Sequence, residues 1–356
     1  MEIIEETPPR RRLTLIGAGD NLFHISILQN SREQGGYDFS PIYREIQPLI
    51  QGADLAFINQ ETVMGGEKLG YSGYPRFNTP PELAKTLVET GFDIVNHANN
   101  HAMDMGEAGL TATMDVWDAQ NGVTYLGIHR FAEKKQAIIT KNGISLGFLA
   151  YTYGTNGLPL PKDKPYLVSL INREVMAREI DALRPLCDAL IVSMHWGDEY
   201  ALQPGAAQRE LAAFLAEHGV DLVIGHHPHV LQRVEVLPRP DGKRTVCFYS
   251  LGNFVSNQQD KETLLGALMY AEIVKEGGQT SVDYWGLIPA VTHYERGYTG
   301  TRVYPLYAYS KDLLERHALY AQDAGFRREF IDALLAKLNA DIIMRSPFAL
   351  ERQSGP

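Results

Sequence analysis

Side chains that bind metals and transfer protons follow five apolar, strand-like segments of this 356-residue chain. They are Asp20 after 13–19, Asn59 and Glu61 after 54–58, Asn100, His101 and Asp104 after 92–98, His195 after 188–194, and His227 and His229 after 220–225. Because the carboxyl ends of parallel strands open into one crevice in an open α/β sheet, we expect these side chains to converge at one edge.

The donor types indicate what this edge binds. Carboxylate, amide oxygen and imidazole suit Mn, Fe or Zn, and no cysteine accompanies them, which argues against a closed structural zinc site. Any one of these residues could serve packing or turn geometry alone, but five segments supply donors together. The set exceeds the needs of one tetrahedral ion and predicts two divalent ions, about 3.5–4 Å apart, sharing a bridging carboxylate.

Apolar periodicity predicts the elements that position this edge. Strands alternate with helices through the first half of the chain, a pattern typical of βαβ units around a buried sheet. The predicted strands are 13–18, 53–59, 92–98 and 123–127, and the predicted helices are 41–50, 80–91 and 105–122.

The second half is predicted to begin with a hairpin over 134–154, in which Asn142 and Gly143 form the turn. It continues through further strand and helix units into a β-rich stretch. Residues 311–343 are predicted to be helical, because an apolar residue recurs every fourth position. The remaining predictions are helices 171–186 and 204–219, strands 188–197 and 220–229, and the apolar face Phe330, Leu334, Leu338 and Ile342.

Composition and charge exclude several classes of protein. With 44% hydrophobic and 21% charged residues, the composition is that of a globular chain. The net charge of -10, from 33 Lys and Arg against 43 Asp and Glu, argues against nucleic acid as a partner. No stretch reaches the roughly 18 apolar residues of a membrane span. Residues 1–12 lack the apolar core of a signal peptide and are predicted to be a linker, with any anchor outside this chain.

Six segments carry a resemblance to a known family: GAGDNLFH, INQE, NHANNHAMDMG, MHWGDEY, GHHPHVLQ and YSLGNF, in this order. Over residues 13 to 256 the chain resembles the bacterial capsule-synthesis CapA family of poly-γ-glutamate synthesis (PGA_cap type), which is similar to the calcineurin-like metallophosphoesterases. The resemblance implies an α/β fold, a four-layer α/β/β/α sandwich. With the patterns above, this gives one domain over 13–310 with a β-rich second half, and a C-terminal helical segment, 311–356, packed on it.

The resemblance also implies how the candidate ligands share two ions. Asp20 would bind one ion, Glu61 would bridge both, and Asn100 would bind the second. The lone strand-end histidine and the terminal His-x-His pair would complete the two sites. These remaining ligands are His195, His227 and His229.

Two residues would act without binding metal. By resemblance, His101 stabilises the leaving group or transition state, and Asp104 orients its ring. The chain departs from the phosphoesterase pattern at two places, since Asp20-Asn21-Leu22 replaces Asp-x-His and Asn59-Gln60-Glu61 replaces Gly-Asp-x-x-Asp. A glutamate bridge is longer than an aspartate and would alter metal spacing or affinity.

Two functions remain open on this sequence. One is a hydrolase of capsule synthesis or export, which would use a metal-bound hydroxide on a phosphoester or a γ-glutamyl amide. The other is a non-catalytic, metal-binding scaffold of a membrane poly-γ-glutamate synthase complex. The expected partners are a polyanionic polymer or a small phosphoester, together with synthase subunits, and the expected location of the full-length protein is extracytoplasmic and membrane-anchored.

Substrate contacts are expected from the Gly- and Tyr-rich loop 65–81 and from residues beside the strand ends. A polyanionic substrate requires local cations, for which Lys68, Arg76 and Arg130 are the candidates. The planar guanidinium of Arg76 could hold a carboxylate or phosphate through two hydrogen bonds. The other predicted substrate contacts are Asn59, Tyr74, Glu199 and Asn253.

Three histidines are left out of the predicted site. His97 is expected to be a satisfied core histidine, and His24 lies too far from Asp20 in sequence to complete an Asp-x-His pair. His226 directly precedes the His-x-His pair. Since alternate residues of a strand face opposite sides, we expect it to point away from the site.

Overall fold

The computed structural model describes residues 9–322, 325–338 and 342–343. Within them the strands are β1 (Arg11–Asn21), β2 (Arg32–Glu33), β3 (Gly36–Tyr37), β4 (Leu55–Gln60), β5 (Ile94–Asn96), β6 (Thr124–Leu126), β7 (Ala137–Lys141), β8 (Ile144–Thr152), β9 (Ala189–His195), β10 (Leu222–His226), β11 (Val234–Pro238), β12 (Arg244–Phe248), β13 (Asn253–Val255), β14 (Leu265–Glu276), β15 (Gln279–Glu295) and β16 (Thr299–Pro305). The α-helices are α1 (Ile25–Asn30), α2 (Ser40–Tyr43), α3 (Gln47–Gln51), α4 (Glu82–Thr90), α5 (Gly106–Asp118), α6 (Arg173–Leu183), α7 (Ala206–Glu217), α8 (Lys311–Arg316) and α9 (Arg328–Leu335).

Two large sheets organise these strands. The first sheet has the order β16-β15-β14-β1-β4-β5-β6, with β13 also paired to β1. The second has the order β11-β12-β10-β9-β8-β7. Strands β1, β4, β5 and β6 run parallel in the first sheet, and β8, β9, β10 and β12 run parallel in the second. Each sheet therefore has a group of adjacent parallel strands whose carboxyl ends carry the candidate residues.

Alternation along single strands shows how the layers stack. Phe57 of β4 and Ile224 of β10 join one apolar cluster that lies between the two sheets. Their neighbours face outward: Ile58 packs with buried residues of α3 and α4, and Val223 packs with buried residues of α6 and α7. The layers are thus helix, sheet, sheet and helix, and the predicted four-layer α/β/β/α fold is confirmed.

Local sequence rules account for several of the elements. Asn142 and Gly143 have φ of 53° and 71° and join β7 to β8, as expected for a hairpin turn that needs left-handed residues. The predicted helix over 41–50 is wrong in one respect, since it is divided into α2 and α3. Pro48 lies in the first turn of α3. Because proline has no backbone N–H to continue a preceding helix, a new helix starts there.

The start of the first strand also differs from the prediction. β1 begins at Arg11, so Arg11 and Arg12 belong to the sheet and not to a linker. They pair with Lys275 and Val274 of β14, more than 250 residues away, so no local pattern reveals this partner. Residues 1–8 of the predicted linker lie outside the described part of the chain.

The residues after 256 extend the first sheet and cover one end of the core. β14, β15 and β16 form its antiparallel side. The segment 311–343, predicted to be helical, contains the helices α8 and α9 within the described residues. Their residues Leu314 and Leu334 join the cluster between the sheets, as do Leu338 and Ile342. Among the described residues, no helix is long and apolar enough to cross a bilayer.

Candidate metal centre

The candidate residues converge where the parallel strands of the two sheets end. Asp20 is paired with Asn59 of β4 and with Asn253 of β13 in the first sheet. His195 and His226 are paired at the ends of β9 and β10 in the second. The sequence-based expectation of a single sheet edge is therefore corrected, because two sheets supply the residues from adjoining ends.

Among the described residues, three groups of ligand atoms lie at this junction, and Glu61 belongs to two of them. The ligand atoms of Glu61, His195 and His227 lie within 4.8 Å of one another, and so do those of Asp20, Glu61 and His229. A shared carboxylate between two donor groups is the arrangement that a bridging ligand requires.

Glu61 is the residue that most clearly indicates a cation. Its side chain is fully buried, and neither carboxylate oxygen has a hydrogen-bond partner. A buried carboxylate without a partner is costly, so native proteins pair such groups or place a metal beside them. The surrounding imidazole and carboxylate donors are those that Mn, Fe or Zn bind, and the residues present therefore fit divalent ions.

Asn100 extends the first of the two groups. Its side-chain oxygen Oδ1 lies 2.8 Å from Nε2 of His195, and the same nitrogen lies 3.5 Å from Oε1 of Glu61. The Asn100 oxygen therefore lies directly beside the donor atoms of this group. The first group thus offers four donors, from Glu61, Asn100, His195 and His227.

A ladder of buried amides fixes Asp20. Asn96 Nδ2 donates to Asn59 Oδ1 at 2.8 Å, and Asn59 Nδ2 donates to Asp20 Oδ1 at 2.8 Å. All three side chains are fully buried. Asn59, predicted to contact substrate, is instead inaccessible and holds the Asp20 carboxylate in place.

Asn253 has a similar supporting role for His229. The Oδ1 atom of Asn253 lies 3.1 Å from His229 Nδ1, which also lies 3.0 Å from Asp20 Oδ2. The Asn253 amide nitrogen donates to the backbone oxygen of Thr263 and to Gln258. Asn253 was predicted to contact substrate, but its buried amide is engaged in orienting this imidazole.

The backbone leaves the strand conformation directly after β10. His227 and His229 have φ of 98° and 60°, in the left-handed region that few non-glycine residues adopt. Such conformations concentrate at functional sites, where the surrounding structure enforces them. The turn brings the His227 backbone nitrogen to 3.3 Å from Asp20 Oδ2. The Asp20 carboxylate is therefore contacted by this N–H and by the side chains of His226 and His229.

Electrostatics show how this centre balances its buried charges. Burial raises the pKa of Glu61 well above its ordinary value, and the Asp20 carboxylate raises it further. Burial lowers the pKa of His229, but Glu61 and Asp20 outweigh that effect and raise it to about 9. Burial also opposes ionisation of Asp20, yet His226 and His229 hold its pKa well below its usual range. Protons on Glu61 and His229 thus balance the buried negative charge of the centre, and a divalent cation can balance it in their place.

The other two imidazoles are held in the neutral form that binds metals. Burial lowers the pKa of His227 to about 3, with a further contribution from His229. Burial also lowers the pKa of His195 well below its usual value, and His227 lowers it further. Both rings therefore carry a lone pair at neutral pH, which is the state that a metal ligand needs.

His101 lies beside the two groups and is oriented by a carboxylate. Its Nδ1 lies 2.8 Å from Asp104 Oδ2, and that oxygen also accepts the backbone N–H of Phe77 at 2.7 Å. The ring of Phe77 packs edge-on against His101, with 4.7 Å between the ring centroids. Carboxylate and aromatic ring together fix the direction in which Nε2 points.

The mouth of the centre is formed by the 65–81 loop and the segment after His195. Tyr74 is 79% exposed, and Arg76 lines a cavity of about 480 Å³ with Asp104. Glu199 is exposed, and its carboxylate lies within 4.8 Å of ligand atoms of His227 and His229. It is therefore placed to join the metal ligands, in addition to its predicted role as a substrate contact.

Arg130 does not belong to this mouth. Its guanidinium contacts Asp115 at 2.6 Å and Asp118 at 2.7 Å, both on α5. The prediction of Arg130 as a cation near the site is wrong, because the segment after β6 returns to the outer helix. Lys68 is exposed in the 65–81 loop.

Sequence reasoning missed several residues of the centre. His226 was expected to point away, but its Nδ1 lies 3.4 Å from Asp20 Oδ1 and its ring stacks on Phe57. Tyr153 and Asn156, after β8, also border the ligands. The position of His226 could have been inferred from strand alternation. It lies two residues after Ile224 and therefore on the same side of β10, which faces the other sheet. His97 is a buried core residue as expected, and its Nε2 accepts a hydrogen bond from Trp117 at 2.7 Å, but its Nδ1 has no hydrogen-bond partner, so the ring is only half satisfied.

Comparison with known proteins places this chain among capsule synthesis proteins. The sequence profile of the bacterial capsule synthesis protein PGA_cap matches residues 14–258. The PGA biosynthesis protein CapA of Bacillus subtilis (strain 168) is 32% identical over 251 residues, which cover 69% of this chain and 64% of that protein. The capsule biosynthesis protein CapA of Bacillus anthracis is 29% identical over 279 residues, which cover 75% and 65%. The match thus spans slightly less than two thirds of each relative.

A solved structure supports the fold assignment. The crystal structure of a novel phosphatase from Mycoplasma pneumoniae aligns with a TM-score of 0.50 and 14% identity, over 80% of this chain and 95% of that one. At this identity the likeness concerns the fold alone, and it agrees with the four layers described above.

Proposed function

Because this chain belongs to the PGA_cap family of bacterial capsule synthesis proteins, we propose that it is a metal-dependent hydrolase of poly-γ-glutamate capsule synthesis or export. The observation that carries this proposal is Glu61, a fully buried carboxylate without hydrogen bonds that belongs to two groups of metal-binding side chains. A phosphoester or a γ-glutamyl amide is the proposed substrate, since both are cleaved by attack of an activated water. An extracytoplasmic site of action accompanies this role, because a capsule is assembled at the cell surface.

The residues divide the proposed dinuclear centre into two sites. Glu61, Asn100, His195 and His227 would hold one divalent ion. Asp20, Glu61 and His229 would hold the other, with Glu199 at the open side. When bound, Mn, Fe or Zn would supply Lewis acidity and lower the pKa of water to near neutrality.

His101 supplies the proton chemistry of the proposed reaction. Because its Nδ1–H donates to Asp104, the free nitrogen Nε2 is the atom that can hold or release a proton. In the protonated form, Nε2–H can stabilise the charge that develops on a leaving oxygen or nitrogen. The hydrogen bond to Asp104 keeps the ring in its orientation.

Arg76 provides the positive charge at the mouth. The residue is exposed, and it lines a cavity with Asp104 whose lining includes neither His101 nor a candidate metal ligand. A guanidinium binds a carboxylate or phosphate with two parallel hydrogen bonds. Arg76 would therefore bind an anionic group of the substrate close to His101, and Tyr74 would cover the same side.

Two departures from the phosphoesterase pattern favour a second function, a metal-binding scaffold of a membrane synthase complex. Leu22, a buried apolar residue, stands where an Asp-x-His pair would place its histidine, and a glutamate replaces the bridging aspartate. A scaffold needs only the bound ions. The hydrogen bond between His101 and Asp104 favours the hydrolase, because a pure scaffold has no use for an oriented histidine that binds no metal.

Hydrolysis of a chromogenic phosphodiester and of a γ-glutamyl anilide, with added Mn²⁺, tests the proposal. The wild-type protein is compared with His101→Ala and with the control His218→Ala, which alters a partly exposed residue at the end of α7. The proposal predicts turnover of one substrate by the wild type and the control, and a loss of about 10²–10⁴-fold in His101→Ala. Metal binding without turnover of either substrate would instead support the scaffold.

A further inference from the structure

The loop after β8 contacts the metal centre through a residue that no metal-ligand pattern identifies. We propose that Asn156 is a positioning residue: it holds the amide of Asn100 so that the Asn100 oxygen, and not the nitrogen, faces the ion. This inference rests on the metal-binding part of the proposed function.

The contact is direct. Asn100 Nδ2 donates a hydrogen bond to Asn156 Oδ1 at 3.1 Å, while Asn100 Oδ1 lies 2.8 Å from His195 Nε2. The two ends of the Asn100 amide thus have different neighbours. Only the oxygen end of an amide can ligate a cation, because the NH₂ group is a donor of hydrogen bonds.

The hydrogen bond to Asn156 favours this orientation of the Asn100 amide. The imidazole nitrogen of His195 cannot do so, since it can accept or donate according to its proton. With Asn156 Oδ1 on this side, where the Tyr153 hydroxyl also donates to it at 3.4 Å, the Asn100 amide must present its NH₂ group to that oxygen. Without Asn156, the Asn100 amide could rotate by half a turn and present its nitrogen to the ion.

The loop is fixed at its base and holds Asn156 in a special conformation. The Tyr153 backbone N–H donates to the His195 carbonyl at 3.0 Å, and the Leu158 N–H closes a turn onto the Thr155 carbonyl at 2.9 Å. Asn156 has φ of 50°, a left-handed conformation that asparagine adopts more readily than most residues. The side chain is thereby directed back toward the centre.

Two further contacts join Asn156 to the centre. The Tyr153 hydroxyl lies 3.4 Å from Asn156 Oδ1, and the Tyr153 ring packs over His227 with 4.6 Å between the ring centroids. The Asn156 amide nitrogen lies 3.5 Å from His101 Nδ1, a packing contact without a hydrogen bond, because Nδ1–H already donates to Asp104. Asn156 thus touches residues of the ligand group and of the proposed catalytic pair.

Two substitutions distinguish the effect of the Asn156 acceptor oxygen from the effect of its backbone conformation. Asn156→Gly removes the side chain but keeps the left-handed conformation without cost. Asn156→Asp keeps an acceptor oxygen for Asn100 Nδ2. Asn142→Gly is the matched control, because Asn142 also has a positive φ, of 53°, and lies in the hairpin turn between β7 and β8.

The measurement is the affinity for Mn²⁺ and for Zn²⁺, determined by competition with a chromophoric chelator, together with the melting temperature of the metal-free proteins. Because residues that orient metal ligands contribute about 10–100-fold to affinity, Asn156→Gly should weaken at least one binding step by about tenfold or more. Asn156→Asp and Asn142→Gly should bind close to wild type. The melting temperature of Asn156→Gly should change no more than that of Asn142→Gly.

The outcomes separate this inference from the proposed function. Wild-type affinity in Asn156→Gly would overturn the inference and leave the metal centre intact. Equal loss in Asn156→Gly and Asn156→Asp would also overturn it, because the acceptor is retained in the second variant. If the wild-type protein binds neither metal, the proposed function fails, and this inference fails with it.

Discussion

His101 and Asp104 form a hydrogen bond of 2.8 Å between Nδ1 and Oδ2, and the backbone N–H of Phe77 donates to the same carboxylate oxygen. Asp104 is buried, and its other oxygen has no hydrogen-bond partner. Because Oδ2 can only accept, the proton of a neutral His101 ring lies on Nδ1. This places the reactive lone pair on Nε2, beside the proposed metal ligands.

Asp104→Asn should lower kcat while leaving metal content unchanged. An asparagine can present its NH₂ group to His101 Nδ1 and thereby favour the wrong tautomer, with the proton on Nε2. We expect a loss of about 10²-fold or more, within the 10²–10⁴-fold range of general acid–base catalysis. Steady-state kinetics and elemental analysis of the same preparation measure both quantities. A fall in metal content equal to the fall in kcat would show that Asp104 maintains the centre instead.

Gly19→Ala should disturb both stability and metal binding. A Cβ atom on Gly19 would lie 2.0 Å from the backbone oxygen of Gly252, which also accepts the Asp20 N–H at 2.9 Å. The clash is with backbone and must move the end of β1, so we expect destabilisation of about 1–3 kcal/mol or more. Asp20 moves with it, and metal affinity should fall.

The control for this glycine is Gly154→Ala, because nothing lies within 4 Å of a Cβ atom at Gly154. Urea denaturation of the metal-free proteins and chelator competition measure the two effects. A Gly19→Ala protein as stable as Gly154→Ala would contradict the described packing between β1 and the segment before β13.

The buried His97 makes folding stability depend on pH. Burial lowers its pKa from 6.5 to about 3. Between those values the unfolded chain binds a proton that the folded protein does not bind, so stability falls as the pH falls from 6.5 toward 3. At about 1.4 kcal/mol per unit of pKa, this histidine accounts for a loss of up to roughly 4 kcal/mol over that range.

His97→Gln should therefore make the free energy of unfolding depend less steeply on pH below 6.5. The change in slope should correspond to about one bound proton. Glutamine retains an acceptor for the Trp117 indole N–H, which donates to His97 Nε2 at 2.7 Å. Urea denaturation between pH 4 and 7 gives the slope, and His218→Gln serves as the control at a partly exposed position. An unchanged slope in His97→Gln would contradict the assignment of His97 as a buried neutral histidine.

Local patterns predicted the parts of the fold that depend on local physics. The turn at Asn142–Gly143 follows from left-handed propensity, and strands such as β4 and β9 follow from continuous apolar runs. The division into two sheets was given only by the family resemblance. The pairing of β1 with β14 joins residues more than 250 positions apart, and no periodicity specifies it.

The same limit applies to the candidate site. Metal-type residues were found because they follow strands, but the supporting amides resemble ordinary turn or substrate residues in sequence. Asn59 and Asn253 hold Asp20 and His229, and only the three-dimensional contacts reveal this. Asn156 belongs to an Asn-Gly turn, which predicts a loop and says nothing of its hydrogen bond to Asn100.

The most direct test of the account is metal content, measured by elemental analysis after loading with Mn²⁺, Zn²⁺ or Fe²⁺ and removal of free ions. Wild type is compared with Glu61→Gln, which keeps the shape of this buried side chain and removes its charge. The account predicts about two equivalents of one metal in the wild type and fewer than about one in Glu61→Gln, because the bridge serves both ions. A wild-type protein without bound metal, or a Glu61→Gln protein with wild-type content, would contradict it.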